Sequence, residues 1–366
     1  MKLFSCGVCG STVHFDSIRC EACGTALGFA PDLCDIAMFS DDSGMAEDRH
    51  GGRWRRCVHN TPDEGCNWLV AEADDDPWCR SCRLNRVIPN LANPDYRRLW
   101  KRLEGEKRRF VYSALRLNLP ITPQSRDPQG LGFDFLADGP GFSERVLTGH
   151  AGGVITINIA EADPVARERM RQEMDEPYRT ILGHFRHESG HYYWDRLVRD
   201  TDLLEPYRAL FGDERADYGA ALQAHYENGP PSDWGARFIS TYAACHPWED
   251  WAESWSHYFH MVDTLETAFA YGMRLTPRTG LTGALSVDAG LDPYETADFD
   301  ALMAQWMPLT LALNSLSRSM GHAHAYPFAL ASPVIDKLRF VHHVIHGCVV
   351  ADDAPRPAPE IALPFR

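Results

Sequence analysis

The sequence predicts an α+β protein in which a mainly helical domain with a small strand region follows a cysteine-rich, zinc-binding module. Residues 163 to about 345 show mostly helical spacing of their apolar side chains, whereas residues 131–159 contain short strand candidates. Eight of the 11 cysteines fall into two sets within the first 90 residues. A length of 366 residues allows two or three domains, and a hydrophobic content of 44% is sufficient for a substantial core.

The first cysteine set has the spacing of a zinc ribbon. It consists of two C-x-x-C pairs that are ten residues apart and are each followed by glycine: Cys6, Cys9, Cys20 and Cys23. Four thiolates at this spacing form a tetrahedral zinc–thiolate site without an open coordination position, so the predicted site is structural. The alternative is a set of free thiols, which the regular spacing disfavours.

The second cysteine set is more spread out along the chain. It comprises Cys57, Cys66, Cys79 and Cys82, of which the last two form another C-x-x-C pair. We expect a second structural zinc site here, although His59 could replace Cys57 as a ligand. The cysteines outside both sets are expected to be buried free thiols: Cys34, Cys245 and Cys348.

Cysteines that bind metal, and do not pair in disulfides, indicate a reducing compartment. The N-terminal residues MKLFSCGVCG lack a basic segment followed by an apolar core, and no stretch approaches 18 uninterrupted apolar residues. We therefore expect a cytoplasmic protein that is neither secreted nor inserted in a membrane.

The strongest catalytic signal is the stretch HESGH at residues 187–191, an H-E-x-x-H pattern. On a helix, two histidines four residues apart lie on the same face, so His187 and His191 can bind one Zn²⁺. Glu188 then points toward the water on the metal and can act as a general base. The pattern predicts hydrolysis by a metal-activated water. Because so short a pattern also arises by chance, the prediction needs a third ligand.

A second segment supplies candidates for that ligand. Pro247 suits the first turn of a helix rich in aromatic residues, and Glu249 and Glu253 lie four residues apart on it. We expect Glu249 to bind the metal and Glu253 to hydrogen-bond a ligating histidine, with Asp195 as the alternative for the second role. Both glutamates could instead be solvated helix positions, but carboxylates among aromatic residues are costly unless they are paired or metal-bound. Three nearby histidines are expected to be structural: His184, His246 and His257.

The two segments together resemble the gluzincin arrangement, in which an HExxH helix is followed by a helix that carries E-x-x-x-D/E. Longer phrases, among them GHFRHESGHYYWDRL, FGDERADYGAALQAHYENGPP and HPWEDWAESWSHYFH, resemble the bacterial family of zinc-binding metallopeptidases with an N-terminal zinc ribbon. This resemblance covers about residues 3–345 and implies a zincin-type catalytic domain with peptidase activity. Tyr242 resembles the tyrosine of lethal-factor type gluzincins that faces the scissile carbonyl, with a core tyrosine as the alternative.

The charge balance argues against a nucleic-acid binder, because phosphate contacts need clustered Lys and Arg and the net charge is −15. The one basic segment, residues 95–116, carries eight basic and three acidic side chains, and its apolar residues recur at helical spacing. It is expected to pack on the acidic body of the protein. Residues 29–49 are expected to be a loop rich in Asp, Ser and Gly. The predicted organisation is a zinc-ribbon module with two four-cysteine zinc sites at 1–90, a basic linker helix at 91–119, a zincin-like metallopeptidase domain at 120–350 and a disordered tail at 351–366.

These observations predict a zinc-dependent peptidase with one catalytic and two structural Zn²⁺ ions and a peptide or protein substrate. The strand candidate at 154–159 is expected to pair with an extended substrate, with Asn158 as a substrate contact. Arg318 could bind a substrate carboxylate, with a structural arginine as the alternative. Two other functions stay open: an amide or isopeptide hydrolase acting on a non-protein or tagged substrate, and an SprT-like protease acting on DNA-bound proteins. The acidic module and a glutamate as third ligand speak against the SprT-like function.

Overall fold

The computed structural model describes residues 2–39, 44–61, 64–139, 146–173, 180–278 and 285–347. Within these ranges a cysteine-rich module with short strands precedes a mainly helical part, so the predicted α+β class is confirmed. The predicted tail at 351–366 and Cys348 lie outside the described residues.

The N-terminal module contains two antiparallel sheets. A hairpin of β1 (Phe4–Ser5) and β2 (Thr12–Val13) lies within the first cysteine set. A five-stranded meander follows, with its strands in chain order: β3 (Ala26–Ala30), β4 (Asp35–Phe39), β5 (Met45–Glu47), β6 (Arg53–Arg56) and β7 (Leu69–Ala71). The expectation of a loop over residues 29–49 is therefore wrong. Turn residues dominate the local composition because the strands are short, whereas pairing of β4 with β3 buries Ile36 and Ala37.

A four-stranded mixed sheet joins the module to the helical part. Its spatial order is β10-β11-β9-β8, with the strands β8 (Asn85–Val87), β9 (Gly132–Leu136), β10 (Gly149–Ala151) and β11 (Val154–Asn158). β8 follows directly on the second cysteine set and runs parallel to β9. β11 buries its alternating Ile155 and Ile157, but it lies between β10 and β9. The predicted strand is thus present, while the expectation that it pairs with a substrate is wrong, because both its edges are occupied.

The remaining elements are mainly helical. The α-helices of the described ranges are α1 (Pro94–Arg116), α2 (Pro164–Glu173), α3 (Ile181–Leu197), α4 (Leu204–Phe211), α5 (Tyr218–Asn228), α6 (Pro247–Ala270), α7 (Phe299–Ser319) and α8 (Ser332–Gly347). A short antiparallel pair, β12 (Arg274–Leu275) and β13 (Val287–Asp288), lies between α6 and α7. None of the helices in these ranges combines the length and the apolar character that crossing a membrane requires.

Helices α3 and α6 pack unusually closely, because a glycine lies at their contact. A Cβ atom added to Gly190 would lie 2.9 Å from the Cα of Ala252 and 3.2 Å from the Cβ of Trp255. Two indole groups stabilise this contact between α3 and α6. Trp251 donates a hydrogen bond to the Gly190 carbonyl oxygen at 2.8 Å, and Trp255 donates one to the Ser189 hydroxyl at 3.2 Å. The HESGH stretch is therefore fixed against α6.

Helix α1 coincides with the predicted basic helix and is built into the core. Most of its predicted apolar face is buried: Leu99, Trp100, Leu103, Phe110 and Ala114. Toward the zinc module, Tyr112 packs edge-on against Phe15 with ring centroids 5.4 Å apart. Toward α6, the Arg116 guanidinium pairs with the buried Glu266 carboxylate at 2.8 Å. One hydrophobic core therefore extends from the module through α1 to the last helices.

We predict that Gly190→Ala destabilises the protein, because the added methyl group must push α3 away from α6. The expected loss in the free energy of unfolding is about 1–3 kcal/mol, as is typical of overpacking. Gly105→Ala is the matched control, since Gly105 lies inside α1 and its added Cβ would meet no heavy atom within 4 Å. The control should gain up to about 1 kcal/mol from helix propensity. Denaturant unfolding measures both, and equal effects would contradict the close contact at Gly190.

A fragment that begins near Leu119 should be unstable or insoluble. Its truncation removes Phe110 from its contact with Phe259 on α6, where the ring centroids are 6.1 Å apart, and leaves Glu266 without Arg116. A buried carboxylate that loses its partner costs about 3–5 kcal/mol. Circular dichroism and solubility of the fragment and the full chain measure the effect. If the fragment folds, binds one zinc and retains the full chain's activity, the zinc module is an independent recruiting domain and this packing role is wrong.

Candidate metal centre

The two histidines of the HESGH stretch lie on helix α3. Thr180 caps this helix, since its hydroxyl oxygen accepts a hydrogen bond from the Gly183 N–H at 2.9 Å. His187 and His191 then lie one turn apart, with ring centroids 5.0 Å apart. Trp248 packs on His191 at 4.0 Å between ring centroids and restricts the orientation of that imidazole.

Helix α6 brings a carboxylate to the two histidines. His246 caps the helix with its side chain, and Pro247 occupies the first turn. Glu249 therefore extends from the first turn toward α3. Its Oε2 atom lies 3.0 Å from Nε2 of His187 and 3.5 Å from Nε2 of His191.

These three side chains fit a zinc ion. Their ligand atoms all lie within 4.8 Å of one another. The Glu249 side chain is 2% exposed, and its Oε2 atom accepts no hydrogen bond from the described residues. Burial by itself would raise the pKa of Glu249, but the adjacent His191 and His187 hold it well below its usual range, so the carboxylate is ionised. A buried anionic oxygen without a donor calls for a cation, and two imidazoles with one carboxylate form a donor set of catalytic zinc sites.

A second carboxylate on α6 orients one of the histidines. Glu253 accepts a hydrogen bond from Nδ1 of His187 at 2.7 Å, and its other oxygen accepts one from the Ser240 hydroxyl at 2.6 Å. Because an ionised carboxylate can only accept, His187 carries a proton on Nδ1. When the neutral imidazole binds a metal, its Nε2 lone pair would therefore face the metal position. Asp195, the alternative for this role, instead pairs with Arg199 at 2.6 Å.

Glu188 lies next to His187 on α3 and is half-buried. Burial raises the pKa of its carboxyl group, and this effect exceeds the opposing influence of the adjacent His187 and His191. A carboxylate with a raised pKa is a stronger base. Its position and its basicity therefore suit a group that accepts a proton beside the metal position.

Two tyrosines border this cluster. Tyr242 begins a short 3-10 helix and lies beside His187, with ring centroids 5.9 Å apart. Tyr218, the first residue of α5, donates a hydrogen bond to Oε1 of Glu249 at 2.8 Å. The sequence analysis named Tyr242 but missed Tyr218, because 31 residues separate Tyr218 from Glu249 and no spacing rule links the two helices.

The three histidines expected to be structural each have a partner outside the cluster. The His184 imidazole contacts the Glu161 carboxylate, and His246 caps α6. Nδ1 of His257 hydrogen-bonds with the Tyr326 hydroxyl at 2.7 Å. The structure brings none of these three imidazoles into the group of His187, His191 and Glu249.

The two predicted substrate contacts lie in structural positions. The Asn158 side chain is buried, accepts a hydrogen bond from the Ala160 N–H at 2.9 Å and donates one to the Asp138 carboxylate at 2.8 Å. It shapes the end of β11, and these hydrogen bonds favour a structural role over the predicted substrate contact. Arg318 is exposed near the end of α7 and donates to the Ser315 hydroxyl at 3.2 Å, which favours the structural alternative.

The cysteine sets form two compact groups that could each hold a metal ion. In the first group, sulfur atoms lie 3.7 Å apart in Cys6 and Cys23 and 3.6 Å apart in Cys9 and Cys20. In the second group, the Cys66 sulfur lies 3.7 Å from that of Cys79 and 3.6 Å from that of Cys82, and Cys57 completes the set. Four converging sulfur atoms match the closed, structural type of zinc site.

Other side chains near the cysteine groups have different roles. Nε2 of His59, the alternative to Cys57, accepts a hydrogen bond from the Trp78 indole at 3.3 Å, and His59 does not belong to the sulfur group. Cys34 and Cys245 are free thiols, but they are half-buried and not fully buried as expected.

Two family models and several relatives match this chain. Residues 96–344 match the family described as "Putative zinc-binding metallo-peptidase", and residues 3–93 match a zinc-ribbon domain. Uncharacterized proteins of Mycobacterium tuberculosis and Mycobacterium bovis are each 41% identical to this chain over 347 residues, which covers 94% of this chain and 95% of each relative. No solved structure matches the chain. The chain therefore belongs to this family of zinc-binding metallopeptidases and carries a zinc-ribbon domain at its N-terminal end.

Proposed function

We propose that this protein is a zinc-dependent peptidase of the gluzincin type, with the catalytic zinc held by His187, His191 and Glu249. The observation that carries the proposal is the convergence of their three ligand atoms within 4.8 Å, beside the half-buried Glu188. Three protein ligands leave a fourth position for water, as catalytic zinc sites require. The family to which the chain belongs supports a peptidase activity in general terms.

In this proposal the metal ligands and Glu188 have separate roles in hydrolysis. A zinc ion bound by the three ligands would lower the pKa of a water molecule and polarise the scissile carbonyl. Glu188 accepts the proton that the water gives up as its oxygen bonds to the carbonyl carbon. Glu188 then donates this proton to the nitrogen of the leaving amine as the C–N bond breaks. The raised pKa of Glu188 favours the first of these transfers without preventing the second.

Tyr242 is proposed to stabilise the negative charge that develops on the carbonyl oxygen. Its ring lies beside His187, and burial raises the pKa of its hydroxyl well above the usual value, so the hydroxyl keeps its proton. A hydrogen-bond donor in this role contributes about 2–4 kcal/mol to the transition state.

The edge strand β10 supports an extended peptide as the substrate. β10 pairs with β11 along one side, and its other side has no strand partner among the described residues. On this strand, His150 lies 6.4 Å from His191 between ring centroids, so the free edge runs beside the metal position. A peptide could add to this edge through main-chain hydrogen bonds. An extended protein segment therefore fits better than a small non-protein amide, although an isopeptide bond offers the same C–N chemistry.

We also propose that the two cysteine groups hold structural zinc ions and that the protein works in the cytoplasm, where thiolates remain reduced. The zinc module is proposed to serve as a scaffold for the catalytic part, since β8 and α1 connect the two. A net charge of −15 does not favour nucleic acid as a partner, and the one basic segment forms α1, whose apolar face is buried in the core.

Substitution of the two glutamates should separate catalysis from metal binding. Glu188→Gln should keep all bound zinc and lose turnover by at least about 100-fold, because an amide cannot accept the proton. Glu249→Ala should lose the catalytic zinc or bind it much more weakly. Zinc content and the cleavage of an unstructured peptide mixture, read by mass spectrometry, measure the two effects.

Each outcome of this experiment bears on a different part of the proposal. Zinc retained in Glu249→Ala but lost in Glu253→Ala or Asp195→Ala would reassign the third ligand. No cleavage by the zinc-loaded wild-type protein, combined with hydrolysis of small amides or isopeptide-linked conjugates, would favour the alternative substrate class.

Metal analysis of the purified full chain should find three zinc ions per molecule. Two of them lie in closed thiolate groups, whereas the third has only three protein ligands, so mild chelation should remove the third ion first. Elemental analysis during a chelator titration measures both the number and the order. One zinc equivalent or fewer would rule out two structural sites, and loss of a thiolate zinc before the catalytic zinc would contradict the assigned coordination.

A further inference from the structure

The two oxygens of Glu249 have different surroundings. Oε2 faces the two histidines, at 3.0 Å from His187 and 3.5 Å from His191. Oε1 accepts a hydrogen bond from the Tyr218 hydroxyl at 2.8 Å. We infer that Tyr218 is a positioning residue that holds Oε1 away from the metal, so that Glu249 offers only Oε2 as a ligand. This inference rests on the proposed catalytic zinc site. It gives Tyr218 the role of limiting the number of ligands around the zinc.

The chemistry of a carboxylate makes such a restraint useful. A glutamate with two free oxygens can bind a cation through one or through both of them. At a zinc site with two histidines and a water, a second carboxylate oxygen would add a fifth ligand and crowd the position that a catalytic site leaves open for water. A hydrogen bond from Tyr218 occupies a lone pair of Oε1. It therefore opposes the rotation of the carboxylate that would bring Oε1 to the metal. Partners of this kind, one step removed from the metal, orient the ligands and tune metal affinity.

Tyr218 is itself well placed by its neighbours. Its ring packs edge-on between His246, at 5.4 Å, and Trp248, at 6.1 Å between ring centroids. The preceding Asp217 caps α5 by accepting a hydrogen bond from the Ala220 N–H at 3.0 Å. The phenol therefore reaches Glu249 from a defined direction, although 37% of the residue is exposed.

The hydrogen bond from Tyr218 to Glu249 depends on helix α5, which lies at the surface. None of the α5 residues is fully buried, and glycines with positive φ lie before and after it, Gly212 at 105° and Gly229 at 73°. On the side that faces the site, His225 packs against Tyr242 with ring centroids 6.1 Å apart. The orientation of the Glu249 carboxylate therefore depends on how the exposed helix α5 packs beside the metal position.

The test replaces the catalytic zinc of the full-length protein with Co²⁺, leaving the structural zinc ions in place, and compares Tyr218→Phe with the wild type. Tyr218→Phe keeps the ring and removes only the hydrogen bond. We expect the visible Co²⁺ absorption to weaken, as it does when a four-coordinate site becomes five-coordinate. Retention of the two structural zinc ions reports that the variant is folded.

Tyr271→Phe is the matched control, because it removes the hydroxyl of a tyrosine that is 60% exposed just beyond the other end of α6. This position is roughly 33 Å along the helix from Glu249. The control should leave the Co²⁺ spectrum unchanged. If Tyr218→Phe behaves in the same way as this control, the positioning role is wrong.

A different failure would identify Tyr218 as a ligand. If the Cu²⁺-substituted wild-type protein shows a phenolate-to-copper charge-transfer band that Tyr218→Phe lacks, the phenol binds the metal directly and the inference is overturned. These readouts need no turnover, so they stand even if no peptide is cleaved. Failure of the metal site itself is distinguishable, because wild-type and Glu249→Ala proteins would then contain the same amount of zinc.

Discussion

The close contact of α3 and α6 at Gly190 is the constraint on which the metal centre depends. With no side chain at this position, the Cα of Ala252 lies within 2.9 Å of where a Cβ would be, and the hydrogen bond from Trp251 to the Gly190 carbonyl fixes the relative height of the helices. At this separation the first turn of α6 lies opposite the second histidine of α3. A wider separation would place the Glu249 carboxylate beyond the reach of an ion bound by the histidines, since Zn–N and Zn–O distances are only about 2.0–2.2 Å. Gly190 and the two indole hydrogen bonds thus set the distance between α3 and α6, and this distance places the Glu249 carboxylate at the two histidines.

Around the contact of α3 and α6, each metal-ligand side chain is restrained by a group that does not face the metal position. Glu253 selects the tautomer of His187, Trp248 covers His191, and Tyr218 holds one oxygen of Glu249. The restraining groups come from α5 and α6, whereas both histidines come from α3. Such an arrangement lowers the reorganisation that ligands would otherwise undergo when charge develops during a reaction. It also explains how two carboxylates can lie among aromatic side chains on α6, since each has a cationic or hydrogen-bonding partner.

The N-terminal module is continuous with the catalytic part in structural terms. β8 leaves the second cysteine group and enters the same sheet as β11, and α1 lies between the module's aromatic residues and α6. The module has a small core of its own around Phe39, Trp54 and Leu69, and its other buried aromatic side chains join the shared core. Metal ions bound by the cysteine groups would add to this stability. The parallel pairing of β8 with β9 then makes the module part of the sheet whose opposite edge, β10, lies beside His191.

The chemistry of the sites was largely determined by the sequence alone, because it depends on residue types at short spacings. HESGH on a helix and the two C-x-x-C-based sets specify which atoms can bind metal, and helical spacing identified the buried face of α1. Tertiary structure decided the rest. Tyr218 meets Glu249 only because α5 folds back onto α6, and Asn158 faces inward only because the end of β11 is capped. In the part of the chain that the structure describes, β10 lies at the edge of its sheet, because strand order depends on pairing between distant segments, which no local pattern encodes. Local periodicity fixes faces and spacings, whereas contacts between elements arise from packing of the whole core.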